Sequence, residues 1–287
     1  MNRGLRMLKR LITVLLLVSA IGLVVTSARS IQQYELEEPE LNEASGLAAS
    51  LATPGILYSH NDSGGENAVY VLNVKGFVPA KIILEGVKNR DWEDIAVGID
   101  PRDKRSYVFV GEIGDNAARH SSVFIYRFAE PAFTDTLIKV DQIAVIEVVY
   151  EDGPRDAEAL FADPRTGDLY IISKREAEVG VYQIPYPQSF ISVNTARKVA
   201  TLPYSWVTAA DISPNGKYIL VKTYTNIYRY KRGRRMSVAT ALGRKFKALP
   251  YQIEPQGEAV AWDHKGKGYL TLSEQSGDDP VILYYYK

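Results

Sequence analysis

A tyrosine preceded by a β-branched residue or leucine recurs five times in this chain, in AVYVLN, FIYRFAE, GVYQIP, NIYRYKR and ILYYYK. The positions are Tyr70, Tyr126, Tyr182, Tyr228 and Tyr284, spaced by 56, 56, 46 and 56 residues. A period of this length constrains the fold strongly, because each copy must be one supersecondary unit packed on its own repeats. Ahead of each tyrosine lies a short β-type run: ILYSHND, SYVFVGEIGD, LYIISK, YILVKTY and YLTLSE. Ahead of those come SGLAAS, EDIAVG, EALFAD, ADISPNG and EAVAWD. A fourth extended segment closes each unit, clearest in IKVDQIAVIEVVY and ARKVATLPY. The turn formers ATPG, DPRD, DPRTG, SPNG and DHKG separate the runs.

Four short strands per repeat predict an all-β fold, a five-bladed β-propeller of four-stranded blades. The last copy stops at Lys287 after its third strand, while QYELEEPEL near the N-terminus supplies an extended segment. The ring is therefore expected to be closed by an N-terminal strand, which leaves no open sheet edge. Six blades is the alternative, if the stretch from Glu93 to Glu158 holds a degenerate blade. A β-sandwich with coincidental spacing is the competing architecture.

Arg3, Arg6, Lys9 and Arg10 precede an apolar run from Leu11 to Val25, with small residues at Thr26 and Ala28. This pattern reads as a secretory signal peptide cleaved near Ala28, or as an N-terminal membrane anchor. The expected organisation is residues 1–28 as that segment and 29–287 as a single β-propeller domain. The chain is expected to be exported, periplasmic or secreted, and monomeric, meeting membrane only through the N-terminal segment. It has no cysteine, so neither a lipobox nor a disulfide framework is available. The formal charge of the whole chain is zero, and beyond the basic leader acids outnumber bases, which argues against nucleic-acid binding.

In a propeller the start of each first strand and the end of each second strand meet at one rim. The first-strand starts bring Glu43, Asp91 with Glu93 and Asp94, Asp156 with Glu158, Thr208 with Asp211, and Glu258. The second-strand ends bring His60 with Asp62, Glu112 with Asp115, Lys174, Lys222 and Glu274. Carboxylates crowded at a narrow opening repel one another unless a cation neutralises them. Lys174 and Lys222 could form a purely structural polar network. A divalent ion, most naturally Ca²⁺, could instead take oxygens from Glu93, Asp94, Asp156 and Glu158. His120 and His264 have no partners at zinc-ligand spacing. Trp92 and Trp206 precede first strands and Trp262 lies at a strand end, positions suited to packing between blades or to stacking on a ligand at the rim. The basic segment Lys231–Lys247 falls on the opposite face, as a solvated loop or a contact for an anionic envelope surface.

These motifs, E-A-S-G-L, H-N-D-S-G, D-W-E-D-I-A, G-E-I-G-D-N, D-A-E-A-L with T-G-D-L-Y-I, and V-T-A-A-D-I-S-P-N-G, span most of the chain. Through them the sequence resembles exported bacterial β-propeller proteins of unassigned activity. DAEALFADPRTGDLYIISK followed by GVYQIP is similar, more distantly, to one blade of the β-propeller phytases, calcium-dependent phosphatases. That resemblance implies metal ligation by Asp156 and Glu158 and a phosphate contact at Lys174. The expected function is a propeller whose acidic rim binds a divalent cation and, through it, a small molecule or cell-envelope component. The alternatives are a Ca²⁺-dependent hydrolase of phosphate esters or lactones, with Glu158 or Glu93 as general base, and a protein-interaction platform.

Overall fold

The β-branched and aromatic runs between turn formers become strands throughout, and the chain is all-β. The computed structural model describes residues 30–133 and 135–287; the apolar N-terminal segment and the expected cleavage site near Ala28 lie outside them. The strands are β1 (Ile31–Glu35), β2 (Ala44–Ala49), β3 (Ile56–Asn61), β4 (Ala68–Asn73), β5 (Ala80–Leu84), β6 (Trp92–Ile99) and β7 (Ser106–Glu112). There follow β8 (Val123–Ala129), β9 (Leu137–Val140), β10 (Ala144–Tyr150), β11 (Ala157–Ala162), β12 (Leu169–Ser173), β13 (Val179–Ile184) and β14 (Asn194–Leu202). The last are β15 (Val207–Ile212), β16 (Tyr218–Thr223), β17 (Ile227–Lys231), β18 (Lys247–Leu249), β19 (Gly257–Trp262), β20 (Tyr269–Ser273) and β21 (Ile282–Tyr286), with one short helix, α1 (Val238–Leu242).

Neighbouring strands pair antiparallel in chain order within each repeat. β2-β3-β4-β5 form one sheet, to which β9 adds in parallel beside β5. β6-β7-β8-β10 and β11-β12-β13-β14 repeat that order, and β10 joins β14 in parallel so that the two make one eight-stranded sheet. β15-β16-β17-β18 follow. β19-β20-β21 are completed by β1, which runs antiparallel to β21 from Ile31 opposite Tyr286 to Glu35 opposite Ile282. Between Glu93 and Glu158 the chain spends its length on β9, which extends the first sheet, and β10, which completes the second set. The recurrent tyrosines all fall in third strands: β4, β8, β13, β17 and β21.

Every sheet or half-sheet ends on its first strand, and these edges pack against one another. β2 contacts β6, β6 contacts β11, β11 contacts β15, β15 contacts β19, and β19 returns to β2. The approach is close enough to require small residues. A Cβ on Gly46 would stand 2.7 Å from the Ile95 backbone nitrogen and from His60 Nε2. Edge strands leave backbone groups without ladder partners, which buried side chains must then satisfy. Asp94 does this across three strands, accepting from Leu160 N at 2.8 Å and Ala210 N at 3.4 Å. Asp211 accepts from Trp262 N at 2.7 Å, and Ser45 Oγ donates to Glu93 O at 2.6 Å.

Each first strand also carries a bulge near its start, where the register skips one residue. The skipped residues are Ser45, Glu93, Glu158, Thr208 and Glu258. At the far end of the first strands a side-chain oxygen caps each turn into the second. Asp100 Oδ1 accepts from Arg102 N at 2.8 Å, Asp163 Oδ1 from Arg165 N at 3.1 Å and Asp263 Oδ1 from Lys265 N at 2.9 Å. Ser50 Oγ accepts from Thr53 N and Ser213 Oγ from Lys217 N in the equivalent places.

The basic Lys231–Lys247 segment lies at that same far end and contains α1, N-capped by Ser237. It is tied down through Arg232, which is buried and donates to Asp163 Oδ1 at 2.7 Å and Oδ2 at 2.8 Å. Removing one partner of a buried pair strands the other's charge. Arg232→Ala is therefore expected to cost about 3 kcal/mol in urea unfolding, whereas a loss below about 1 kcal/mol would reduce the contact to the worth of a surface pair.

Candidate functional site

A β-bulge re-aims the side chain of the extra residue, and five bulges at equivalent positions aim five side chains at one place. Ser45, Glu93, Glu158, Thr208 and Glu258 are all buried, none more than 4% exposed. The residues just beyond the second strands stand over them: Asp62, Ile113, Lys174, Tyr224 and Glu274. Asp91, Asp156 and Trp206 precede the first strands at the same mouth.

One side of this mouth is neutralised internally. Lys174 Nζ donates to Glu158 and lies 3.9 Å from Glu258, whose Oε1 also accepts from Tyr224 Oη at 2.7 Å. Arg175 donates to Asp156 and to Asn116. Burial opposes the charge of Lys174, but Glu158 outweighs it and holds the lysine above its ordinary range. Burial pushes Glu158 up against the pull of Lys174, with Glu258 adding to the rise.

On the other side no described cation is in contact with the acids, although Lys174 acts on Glu93 and Asp62, and Arg90 on Asp91, from farther off. Carboxylate oxygens of Asp62, Asp91 and Glu93 lie within 4.8 Å of one another, and two further triads, Glu93 with Asp156 and Glu158, and Asp62 with Glu258 and Glu274, share members with it. Glu93 is 3% exposed, yet its carboxylate has neither a hydrogen-bond donor nor an ion-pair partner among the described residues. Thr208 Oγ1, also buried, has no hydrogen-bond partner. Gly114 backs the triad closely: a Cβ there would overlap the carboxylates of Glu93 and Asp91. Burial raises Glu93 far above the usual carboxyl range, and Glu158, Asp62 and Asp91 raise it further. Burial lifts Asp62 to about 6. Asp91 is raised by burial and by Asp156. Glu274 is lifted to about 8 by burial and by Glu258.

Glu43 precedes β2 as Asp91 precedes β6 and stands exposed at the mouth, where it adds to the rise of Glu274; its backbone binds Asn61 Oδ1 and Asp62 N. The remaining residues expected at the rim are held in other contacts. His60 is fully buried, edge-on to Trp92 at 5.8 Å, and burial lowers it to about 4, so it is neutral. Glu112 is buried, 2.9 Å from Tyr126 Oη and 3.4 Å from Arg90 Nε. Asp115 caps its own loop, accepting from Arg119 N and His120 N. Asp94 sits one residue deeper than Glu93, its oxygens taken by backbone donors. Asp211 lies near the far end of β15, away from the mouth. Lys222 is buried below it, donating to Gly257 O, with burial lowering it to about 8.

Tyr224, rather than Lys222, is the residue of that repeat facing the mouth, and Ser45, rather than Glu43, completes the bulge ring. Trp92 and Trp262 are buried, but Trp206 is 49% exposed and takes φ 58°, a left-handed conformation rare for a bulky residue. Arg175 lies 5.5 Å from its ring centre. His120 and His264 join no candidate metal cluster among the described residues. No family model matches the chain, and no curated protein matches it. Among the described residues no helix is long and apolar enough to cross a membrane.

Glu93, Asp62 and Glu274 hold their protons more tightly folded than unfolded. Their contribution to stability is therefore complete below the ordinary carboxyl range and is lost as pH rises through the folded values. With chelator present, the melting temperature is expected to fall between about pH 5 and about pH 9, with Glu93→Gln flattening the fall. A melting temperature that climbs across this window would contradict the charge assignment.

Proposed function

We propose that the chain is a five-bladed β-propeller whose axial mouth binds one divalent cation, Ca²⁺ by preference, and through it a small anionic ligand. The blade count is supported by the closed series of first-strand contacts, the five equivalent bulges and the five side-chain-capped turns. β1 then serves as the fourth strand of the fifth blade.

The observation that carries the cation is Glu93. A buried carboxylate without a donor costs several kcal/mol unless it is protonated or paired with a cation. Asp62, Asp91 and Glu93 form the ligand set, because Glu158 and Asp156 are already occupied by Lys174 and Arg175. Three carboxylates with neighbouring backbone oxygens and water suit a hard ion that takes six to eight oxygens. An export signal would bring such a site to calcium-rich surroundings.

The cationic and aromatic half of the mouth, Lys174, Arg175, Tyr224 and Trp206, is placed to receive the anionic end of a ligand and to stack on its face. This supports binding over hydrolysis. Of the two carboxylates considered as a general base, Glu158 is tied to Lys174, and burial holds Glu93 well above the usual carboxyl range.

Calcium at about a hundredfold above its dissociation constant is expected to raise the melting temperature by about 5 °C or more, and EDTA to reverse this. Glu93→Gln is expected to weaken calcium binding about tenfold or more in calorimetric titration, while Asp141→Asn, altering an exposed side chain away from the mouth, leaves it unchanged. Identical melts in calcium and EDTA would remove the cation from the account.

A further inference from the structure

The end of the molecule opposite the mouth carries the reverse charge. First and third strands finish there, so the turns between first and second strands gather with the loops between third and fourth. The Lys231–Lys247 segment holds seven basic residues and no acid. Within it Arg232 is ion-paired, to Asp163. Arg234, Arg235, Arg244 and Lys245 are exposed. Arg102 and Lys104 in the β6–β7 turn and Lys217 and Lys265 in two equivalent turns add exposed charge of the same sign. Several acids at this end are engaged internally: Asp100 pairs with Arg127, and Glu130 accepts from the backbone of Leu51 and Ala52.

Exposed apolar side chains concentrate there too. Among the described residues, all the large ones except Trp206 and Ile253 stand at or next to this end. Ile191, on the β13–β14 loop, is 99% exposed, between Phe190 at 47% and Val193 at 49%. The loop is braced rather than loose. Asn194 accepts from Ser189 N at 2.8 Å and donates to Ser189 O at 2.9 Å and Glu147 O at 3.1 Å. Phe246, 41% exposed, lies in sequence among Arg244, Lys245 and Lys247. Ile31, 42% exposed, opens β1 opposite Tyr286 and so also stands at this end.

We propose that this end docks on the surface of an anionic lipid bilayer. Basic side chains of the Lys231–Lys247 loop meet the headgroups, while Ile191 and Phe190 on one loop and Phe77, 52% exposed on the β4–β5 loop, insert at the acyl boundary. A bilayer fits better than a folded partner because the apolar tips stand on separate loops, where a deformable phase can receive each one. A polyanion such as nucleic acid would satisfy the bases and leave Ile191 in water. The docking is independent of the cation at the mouth.

The full chain is to be co-sedimented with phosphatidylcholine vesicles and with vesicles containing about one-third phosphatidylglycerol. Neutral vesicles report the contribution of the N-terminal apolar run, and the anionic increment reports the docking face. The increment is expected to be about a hundredfold at low salt, to shrink as salt rises, and to vanish in R234E/R235E/K245E. Ile191→Asp, at a separate exposed site, is expected to weaken anionic binding without altering the melting temperature. Ile191→Trp should add blue-shifted emission on anionic vesicles, quenched by brominated lipid. No anionic increment, or one that survives the triple reversal, would overturn the proposal. So would heparin binding of equal strength with no blue shift at position 191.

Discussion

The structure depends on how the edges of five first strands are satisfied. β2, β6, β11, β15 and β19 each end a sheet or half-sheet, so one side of each backbone lacks a ladder partner. In most proteins such edges face water, but here they face one another. The donors they leave must be met by side chains small enough to fit and polar enough to accept. Asp94, fully buried, and Asp211, half-buried, serve this purpose, and neither is ion-paired among the described residues. Glu93 is adjacent to Asp94 and as deeply buried, but the bulge turns it out of the ladder, and no donor reaches it. The contrast between these neighbours separates a carboxylate taken up by backbone donors from one that has no donor among the described residues. Burial alone would not distinguish them.

Strand direction sorts the charges by end. A zero formal charge over the chain conceals an acidic mouth where first strands begin and a basic surface where they finish. Neither is a consequence of packing. The acids sit where first and second strands open, and the bases sit in connections free to vary without disturbing the core.

Much of this was legible in the sequence, for physical reasons. The recurrent tyrosines mark third strands because an aromatic residue next to a β-branched one suits a half-buried, pleated surface between sheets. The extra extended segment at the N-terminus was readable because the last copy lacks its fourth strand. The mouth was read less well. Choosing residues by charge brought in Asp211, near the far end of β15, and Lys222, buried below the mouth, and passed over Ser45 and Tyr224. Position within the copy is the better guide. ASGLAA, WEDIAV, AEALFA, VTAADI and GEAVAW each carry a polar residue second, and that is the bulged one in every case. The bulge breaks simple alternation, so the side-chain direction could not be read from a two-residue period. The exposure and left-handed backbone of Trp206 carried no sequence signal.

The asymmetry of the mouth bears most directly on function. Five-fold repetition would favour five equal residues at each level, and a purely structural plug would alternate acids with bases around the ring. Instead both cations, Lys174 and Arg175, come from one second-strand end, and they neutralise acids on that side alone. Asp62, Asp91 and Glu93, contributed by the first two repeats, are left together without an ion-pair partner among the described residues. Their crowding adds to the rise that burial imposes on Glu93, and a side chain on Gly114 would overlap the carboxylates of Glu93 and Asp91. A site that served packing alone would set one lysine beside them. Omitting it makes sense where a mobile divalent ion supplies the missing charge, leaving Trp206, Tyr224 and the two fixed cations opposite for whatever that ion helps to hold.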